Sequence, residues 1–348
     1  MREENPVKVF EEDLARIAKE ILKLEFSHNI FLITGATGLV GSVLVRAILY
    51  ANDVYGLENQ VVAQIRNLEK ARSIFDERKD IKYCVGDVRI PVVYDGKVDY
   101  IIHAASETIS KNMIHYPAET IWTTLCGSKN LLDFARVKSV RHMVYISSME
   151  AFGSVDTEGK VTEETLGYID LTNVRSCYPE SKRMAENLCV CYASEYGVPV
   201  SIARLAQTFG AGASADDTRV FAQFARSVCA GKDIVLHTSG MSCGNYVYTA
   251  DAATAIFTLL KRGKVANCYT VANESSSMRI REMAEMVAEK VASGKIQVVM
   301  DIPSDNRYGY AADVKLRLDA SKMQLLGWKP EVTLEDSYRR LIQYWSEE

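Results

Sequence analysis

In the stretch RSCYPESKR, residues 175–183, a tyrosine and a lysine stand four positions apart. On a helix Tyr178 and Lys182 share a face, close enough for an ammonium to favour the ionised phenol and make it a proton-abstracting base. An ordinary amphipathic turn offers the same pair, so the spacing alone decides nothing. SSMEAFG, residues 147–153, adds hydroxyls at Ser147 and Ser148 and a carboxylate at Glu150, directly after an apolar run. At the carboxyl edge of a parallel sheet such groups face a ligand. A helix N-cap for either serine and a solvated carboxylate for Glu150 are the plain alternatives.

TGATGLVG, residues 34–41, spaces Gly35, Gly38 and Gly41 as GxxGxxG between an apolar run and a helical pattern. Gly35 permits a tight turn, Gly38 lets the backbone approach a pyrophosphate, and Gly41 allows close helix–strand packing. The helix N-terminus then faces the negative charge. This reads as a dinucleotide-binding turn. The second strand of such a fold ends in an acid when it binds both ribose hydroxyls. Here it ends QIRN, with Gln64, Arg66 and Asn67 and no carboxylate. Arg66 either accepts a 2′-phosphate, stacks on adenine, or is a solvated surface arginine. Asp87 in GDV is an expected acceptor for an adenine amino group.

These residues need a scaffold to hold them. The chain has 348 residues, 48% hydrophobic and 25% charged, which fits a large globular core. A net charge of −4 without a basic run argues against nucleic acid or a membrane surface as partner. No uncharged apolar stretch reaches the roughly 18 residues of a membrane span. The acidic, amphipathic N-terminus is unlike a secretory signal. Eight scattered cysteines read as reduced thiols of a cytoplasmic protein, and five histidines form no ligand set, so no metal site is expected.

From residue 30, short apolar runs alternate with helical periodicity. Strands are expected at 31–35, 61–65, 81–88, 100–105, 142–148 and 200–205. Helices fall between them, one through about residue 78 and others at 117–136 and 178–196. This alternation predicts an α/β fold with a parallel sheet covered on both faces. After residue 206 the rhythm breaks at TFGAGASADDT, and YVYTADA then returns to the main layer. The expected organisation is an added helix within 1–28 and a dinucleotide-binding domain at 29–206, to which 245–273 returns. Segments 207–244 and 274–348 would form a substrate lobe.

Together, TGATGLVG, HAAS (103–106), SSMEAFG, YPESK and the C-terminal LGWKP resemble an extended short-chain dehydrogenase/reductase acting on nucleotide sugars. The resemblance covers roughly residues 29–340. Within that family RSCYPESKR is most similar to the segment in UDP-glucuronate decarboxylases (UDP-xylose synthases). The resemblance implies a Rossmann-type doubly wound parallel sheet with a smaller C-terminal α/β substrate lobe. It also implies bound NAD, with NADP open because Arg66 replaces the usual acid. Gly35, Thr37, Gly38, Leu39 and Val40 would hold the cofactor, joined by Arg66, Asn67, Asp87, Val88, Ala104, Ala105, Ser106, Tyr178 and Lys182. Ser106, Ser148, Gln207 and Arg219 would meet the substrate. Lys182 and the oxidised nicotinamide would lower the pKa of Tyr178, which takes a proton from the sugar hydroxyl that Ser148 also bonds. Ser147 would pack or contact the backbone.

Dehydratases of the family carry Asp-Glu after the hydroxyl residue; Met149 and Glu150 stand there here, and methionine cannot transfer a proton. Decarboxylases keep the glutamate, matching Glu150. An arginine usual in decarboxylases is replaced by Gly244, Gln207 stands for an asparagine, and Arg219 is the remaining candidate for a diphosphate, unless it is a solvated helix-start residue. UDP-glucuronate decarboxylation is thus the leading reading. A nucleotide-sugar 4-epimerase or a ketosugar reductase comes second, a 4,6-dehydratase third. A non-catalytic NAD(P)-sensing protein is the reading from another class. The resemblance further implies a homodimer through a four-helix bundle, with Leu125, Leu132, Leu188 and Tyr192 as candidate contacts. Trp328 is expected to pack the second lobe.

Overall fold

Strands β1 (Ile30–Thr34), β2 (Gln60–Ile65), β4 (Tyr100–His103), β5 (His142–Ser148) and β6 (Val200–Leu205) are buried almost throughout. Coverage on both faces is why they read as continuous apolar runs rather than alternating ones. With β3 (Ile81–Val85) and β10 (Cys268–Val271) they form a seven-stranded sheet ordered β10-β6-β5-β4-β1-β2-β3. Every neighbouring pair in it is parallel. These elements come from a computed structural model, which describes residues 8–303 and 314–348. Residues 1–7 of the expected N-terminal extension and 304–313 of the expected lobe lie outside the described residues.

The strand order reverses between β1 and β4, and the crevice at such a switch point is where α/β sheets bind ligands. The helices that make the crossovers are α2 (Leu39–Tyr55), α3 (Leu68–Ile74), α5 (Pro117–Lys138), preceded by the short α4 (Ser110–His115), and α6 (Cys177–Tyr196). Pro117 opens α5, where its missing N–H costs nothing. Gly56 and Gly197 close α2 and α6 in the left-handed conformation. Three expected boundaries move. The helix after β2 ends at Ile74, because buried Phe75 turns inward with extended backbone. β3 and β4 stop at Val85 and His103, because their partners Ile65 and Thr34 are the last residues of β2 and β1.

A second core lies beyond this sheet. β7 (Gln207–Phe209) pairs parallel to β9 (Cys243–Tyr248), which pairs antiparallel to β11 (Asn273–Arg279). α7 (Val220–Ala230), β8 (Ile234–Leu236), α9 (Ile280–Met286), β12 (Val298–Met300) and α11 (Leu334–Glu347) complete the group, with β8 parallel to β12. Phe209 stacks on Phe221 at 4.5 Å and packs with Tyr246 and Tyr338. α8 (Thr249–Arg262) is buried along nearly its whole length against the main sheet. Trp328, just after α10 (Ser321–Gln324), donates to the Asp251 carbonyl at 3.1 Å and to Thr254 at 3.0 Å. It therefore belongs to the main core on α8, not to the second one.

The N-terminal helix α1 (Val9–Lys23) packs its apolar face on α2 and α8. Burial of Leu14, Ile17 and Ile21 contributes about 1.5–3 kcal/mol for each side chain. It is also tied by charge. Buried Asp13 accepts from Tyr248 at 2.5 Å and from Arg340 at 2.8 Å, and Arg16 donates to buried Asp251 at 2.5 Å. α1 thus joins α8 and β9 to the C-terminal helix α11. Of the apolar residues expected on α5 and α6, Leu132 is fully buried and Tyr192 nearly so, with its hydroxyl donating to Asp133 at 2.9 Å. Both are core, because α5 and α6 pack against each other. Among the described residues no helix is long and apolar enough to cross a membrane.

One buried ion pair fastens α6 to the sheet. Arg204 of β6 meets Glu186 at 2.7 Å, and the same carboxylate accepts from Ser147 of β5 at 2.5 Å. Arg204→Met would leave Glu186 charged and buried, which costs about 3–5 kcal/mol. The double variant Arg204→Met/Glu186→Met should recover most of that loss in chemical denaturation. Equal losses in the single and double variants would contradict this account.

Candidate active site

Gly35 adopts φ +63°, and a Cβ there would stand 2.8 Å from the Ala105 nitrogen. At Gly41 a Cβ would stand 2.2 Å from the Gly35 carbonyl. Both positions therefore accept only glycine without backbone movement, one for conformation and contact, the other for contact alone. The turn closes with the Gly38 amide donating to Gly35 O at 2.9 Å. Gly38 is the N-cap of α2 and no side chain caps it, so the first amides of the helix remain available to an anion. Thr37, Leu39 and Val40 are half-buried around this turn, with Leu39 packed on the second core and Val40 on the first. This cradle fits a dinucleotide pyrophosphate.

The remaining cofactor candidates divide. Ala104, Ala105 and Ser106 follow β4 beside the turn, and the Ala105 amide donates to Thr34 at 3.1 Å. Val88 is buried against Gly127, next to β4. Arg66 is exposed just beyond β2. The Asn67 side-chain oxygen is occupied as N-cap of α3, accepting from the Lys70 amide at 2.9 Å. Asp87 accepts from the Arg89 backbone at 2.9 Å and its side chain at 3.0 Å, and this hydrogen bonding holds its carboxyl below the usual range. Only part of its lone-pair capacity is left for an adenine amino group.

Tyr178 and Lys182, on the first two turns of α6, are both buried at the carboxyl end of β5. The Lys182 ammonium donates to the Ile146 carbonyl at 2.8 Å and lies 5.7 Å from the centre of the Tyr178 ring. Ser148 ends β5, and its hydroxyl accepts from the Glu150 amide at 3.2 Å, capping the 3-10 turn Met149–Phe152. The capping alternative is therefore real, yet the Ser148 hydroxyl is also near enough to Tyr178 to favour its ionisation. Glu150 pairs with Arg175 at 3.0 Å, and the Arg175 guanidinium carbon lies 5.5 Å from the Tyr178 ring centre. Met149 packs on the main core. Ser147 contacts a side chain, Glu186, rather than backbone.

Burial governs the site's ionisation in the protein alone. It pushes the Tyr178 phenol up to about 12, helped by the Glu150 charge and opposed by Ser148, Arg175 and Arg219. The lowering expected for Tyr178 is therefore absent from the protein by itself, because desolvation outweighs every neighbouring charge. Burial also pulls Lys182 down to about 8, against the favourable charge of Glu186. His103 is held neutral, down to about 3, by burial and then by Lys182, while its Nδ1 sits 2.7 Å from the Thr34 hydroxyl.

The second group of elements supplies Gln207 and Arg219. Gln207 is half-buried at the start of β7. Arg219, the N-cap residue of α7, donates to Asp217 at 2.7 Å and to the Thr208 carbonyl at 3.3 Å. It is held beside β7 rather than free in solvent. Gly244 on β9 has open space where a Cβ would be. Sequence reasoning passed over Arg175 and Glu186 as site residues. Glu186 carries a readable signal, since Tyr178, Lys182 and Glu186 follow at intervals of four on one helical face. Arg175 carries none, because its approach to Glu150 joins two turns 25 residues apart.

The model of the NAD dependent epimerase/dehydratase family matches residues 31–272. UDP-glucuronic acid decarboxylase 1 of Danio rerio is 28% identical over 320 residues, covering 91% of this chain and 72% of that protein. Among solved structures, an epimerase of Methanothermobacter thermautotrophicus superposes with a TM-score of 0.78 at 19% identity, covering 96% of each chain. A dTDP-glucose 4,6-dehydratase of Streptomyces venezuelae with NAD and TYD bound gives a TM-score of 0.74 at 22% identity, covering 92% of this chain and 97% of that one. At these identities the two structures speak for the fold.

Lys182 has a measurable signature. With a folded pKa near 8 against 10.5 unfolded, it is neutral when folded and charged when unfolded between those values. The unfolded chain then holds the extra proton, so stability rises with pH across that window. Relative to Lys182→Met, the wild type should gain about 3 kcal/mol of unfolding free energy over it, measured by denaturant titration. A stability difference that stays flat with pH would contradict a depressed lysine.

Proposed function

This chain belongs to the NAD dependent epimerase/dehydratase family, and on that premise we propose an enzyme that oxidises a nucleotide-diphosphate sugar at C4 with bound NAD, acting as a UDP-glucuronate decarboxylase. The observation that carries this reading is the convergence of Ser148, Tyr178 and Lys182 at one sheet edge beside a single carboxylate, Glu150. A dehydratase needs a second acid, and the residue beside Glu150 is Met149, packed on the core.

The chemistry supplied by bound NAD is acceptance of a hydride from C4 and its later return. Tyr178, as phenolate, takes the proton of the C4 hydroxyl, and Ser148 fixes that hydroxyl by hydrogen bonding. Lys182 orients the nicotinamide ribose and adds positive charge near the phenol. Once C4 is a ketone, Tyr178 and Ser148 hydrogen-bond its oxygen. That oxygen receives the electron pair left when CO2 departs from the neighbouring carbon. Before the hydride returns, the carbon that lost CO2 takes a proton from solvent water, and Tyr178 finally gives its own proton to the C4 oxygen. The turn from Gly35 to Val40 would hold the pyrophosphate, and Arg66, Asn67, Asp87 and Val88 the adenosine. NAD is the proposed cofactor, with NADP its competitor because of Arg66. Gln207 and Arg219, held together by the Thr208 carbonyl contact, would meet the substrate diphosphate with Ser106.

A 4-epimerase is the second reading. It is favoured by the open space at Gly244, which puts no cationic side chain there for a carboxylate and leaves room for a ketosugar to present its other face. A homodimer through α5 and α6 is part of the proposal, supported by exposed Trp122 and Met184 on those helices. So is a cytoplasmic location, which suits eight free cysteines.

The test is incubation of the purified protein with UDP-, CDP-, GDP- and dTDP-sugars, with products followed by mass spectrometry. Loss of CO2 from UDP-glucuronate is expected, and Tyr178→Phe should reduce turnover at least 100-fold. A new isomer without mass change would replace decarboxylation by epimerisation. Loss of water would overturn the argument from Met149, and undiminished turnover in Tyr178→Phe would overturn the role of the phenol.

A further inference from the structure

Polar or charged groups reach Tyr178 from five places. Ser148 reaches it from β5, Glu150 from the 3-10 turn after β5, and Arg175 from the 3-10 turn Val174–Ser176 before α6. Arg219 acts from the segment before α7, and Lys182 from the next turn of α6 itself. Its apolar packing is against Met113, Cys177 and Ile121, and the Tyr145 phenol of β5, itself pushed well above the usual range by burial, lies within electrostatic reach. Glu150 therefore stands as a fixed negative charge near a phenol that must itself become negative. A like charge beside a buried phenol disfavours its ionisation, although the Glu150 carboxylate is itself partly exposed.

Arg175 sits between them. Its Nη2 reaches the Glu150 carboxylate at 3.0 Å while the guanidinium carbon is 5.5 Å from the Tyr178 ring centre. The Arg175 backbone is held by Asn173, whose side chain accepts its amide at 2.9 Å, and Ser176 is held by the Asp170 carbonyl at 2.6 Å. The turn thus presents this guanidinium in one place. Among the described residues its Nη1 is buried without a hydrogen-bond partner. Arg16 Nη2 is likewise unmet in its pair with Asp251, so what distinguishes Arg175 is its place against both the Glu150 carboxylate and the Tyr178 ring.

We infer that Arg175 is a positioning residue that balances the charge of Glu150, so that Tyr178 can ionise with the carboxylate still negative beside it. The inference rests on the reading of Tyr178 as the base and adds a residue that touches neither substrate nor cofactor. Arginine suits the task because it cannot lose its proton, whereas burial lowers Lys182 to about 8, so its charge is lost above that pH. Glu150 can then stay charged to meet the sugar without raising the barrier to phenol ionisation.

The experiment is a pair of pH titrations on purified, NAD-loaded protein. One reads tyrosinate absorbance of each variant minus that of the same variant carrying Tyr178→Phe; the other reads kcat/KM. Arg175→Gln should move the Tyr178 midpoint upward by roughly 1–2 pH units in both titrations. Arg175→Lys should restore most of it, Glu150→Gln should move it down, and Arg175→Gln/Glu150→Gln should return close to wild type. An unchanged midpoint in Arg175→Gln would overturn the inference. So would an equal shift in Arg175→Lys, which would assign the effect to packing. Absorbance reports on Tyr178 whether or not a nucleotide sugar turns over, so failure of the proposed reaction and failure of this inference are separable.

Discussion

The site depends on an ion pair that lies beneath it. Glu186 and Arg204 are both almost fully buried, and they hold α6 at one height against β5 and β6. Two charges taken out of water repay their desolvation only with good geometry and further hydrogen bonds. Here the carboxylate also accepts from Ser147, and Arg204 donates to the Glu163 carbonyl at 3.0 Å. Ser147 is adjacent to Ser148, and Glu186 is one helical turn from Lys182. A shift of α6 would therefore break the buried pair before it could move Tyr178 or Lys182 away from the sheet edge.

That rigidity sets a problem which the surrounding charges answer. Burial keeps Tyr178 neutral and weakens the proton affinity of Lys182, so both ionisations that the proposed chemistry wants are opposed in the protein alone. Positive charge has to arrive from outside the pair. Arg175 supplies a permanent one within the fold, and a bound dinucleotide would supply another. Such a base stays inert until its partners are in place, which is a physical reason for burying it at all.

A second constraint comes from the way the two cores meet. Leu39, at the start of α2, packs on the second core while Val40 packs on the first. α1 crosses the same region, with Asp13 joined to Tyr248 and to Arg340 of the C-terminal helix. The Tyr248 hydroxyl in turn accepts from the Ala211 amide, in the loop that leads from β7 toward Arg219. The elements proposed to hold a cofactor and those carrying Gln207 and Arg219 are thus bound through buried contacts.

Local rules reach a good part of this molecule. Continuous apolar runs broken by helical periods were enough for a parallel sheet covered on both faces, because burial on both faces leaves that imprint on every central strand. The glycine turn was legible for the same reason: a left-handed residue at Gly35 and a contact too close for a Cβ at Gly41 admit one residue type each. The spacing of Tyr178 and Lys182 follows from helical period alone. What no local rule could reach were meetings between distant segments, namely Arg175 with Glu150, Glu186 with Arg204, and Trp328 with α8 rather than with the second core. Element boundaries at Val85 and His103 also waited on the fold, since a strand ends where its partner ends. Residue types and short-range geometry are properties of the chain, so sequence alone determined which groups could do chemistry. Charge balance and burial belong to the packed state, so only the tertiary structure decided which of those groups are held together and in what protonation state.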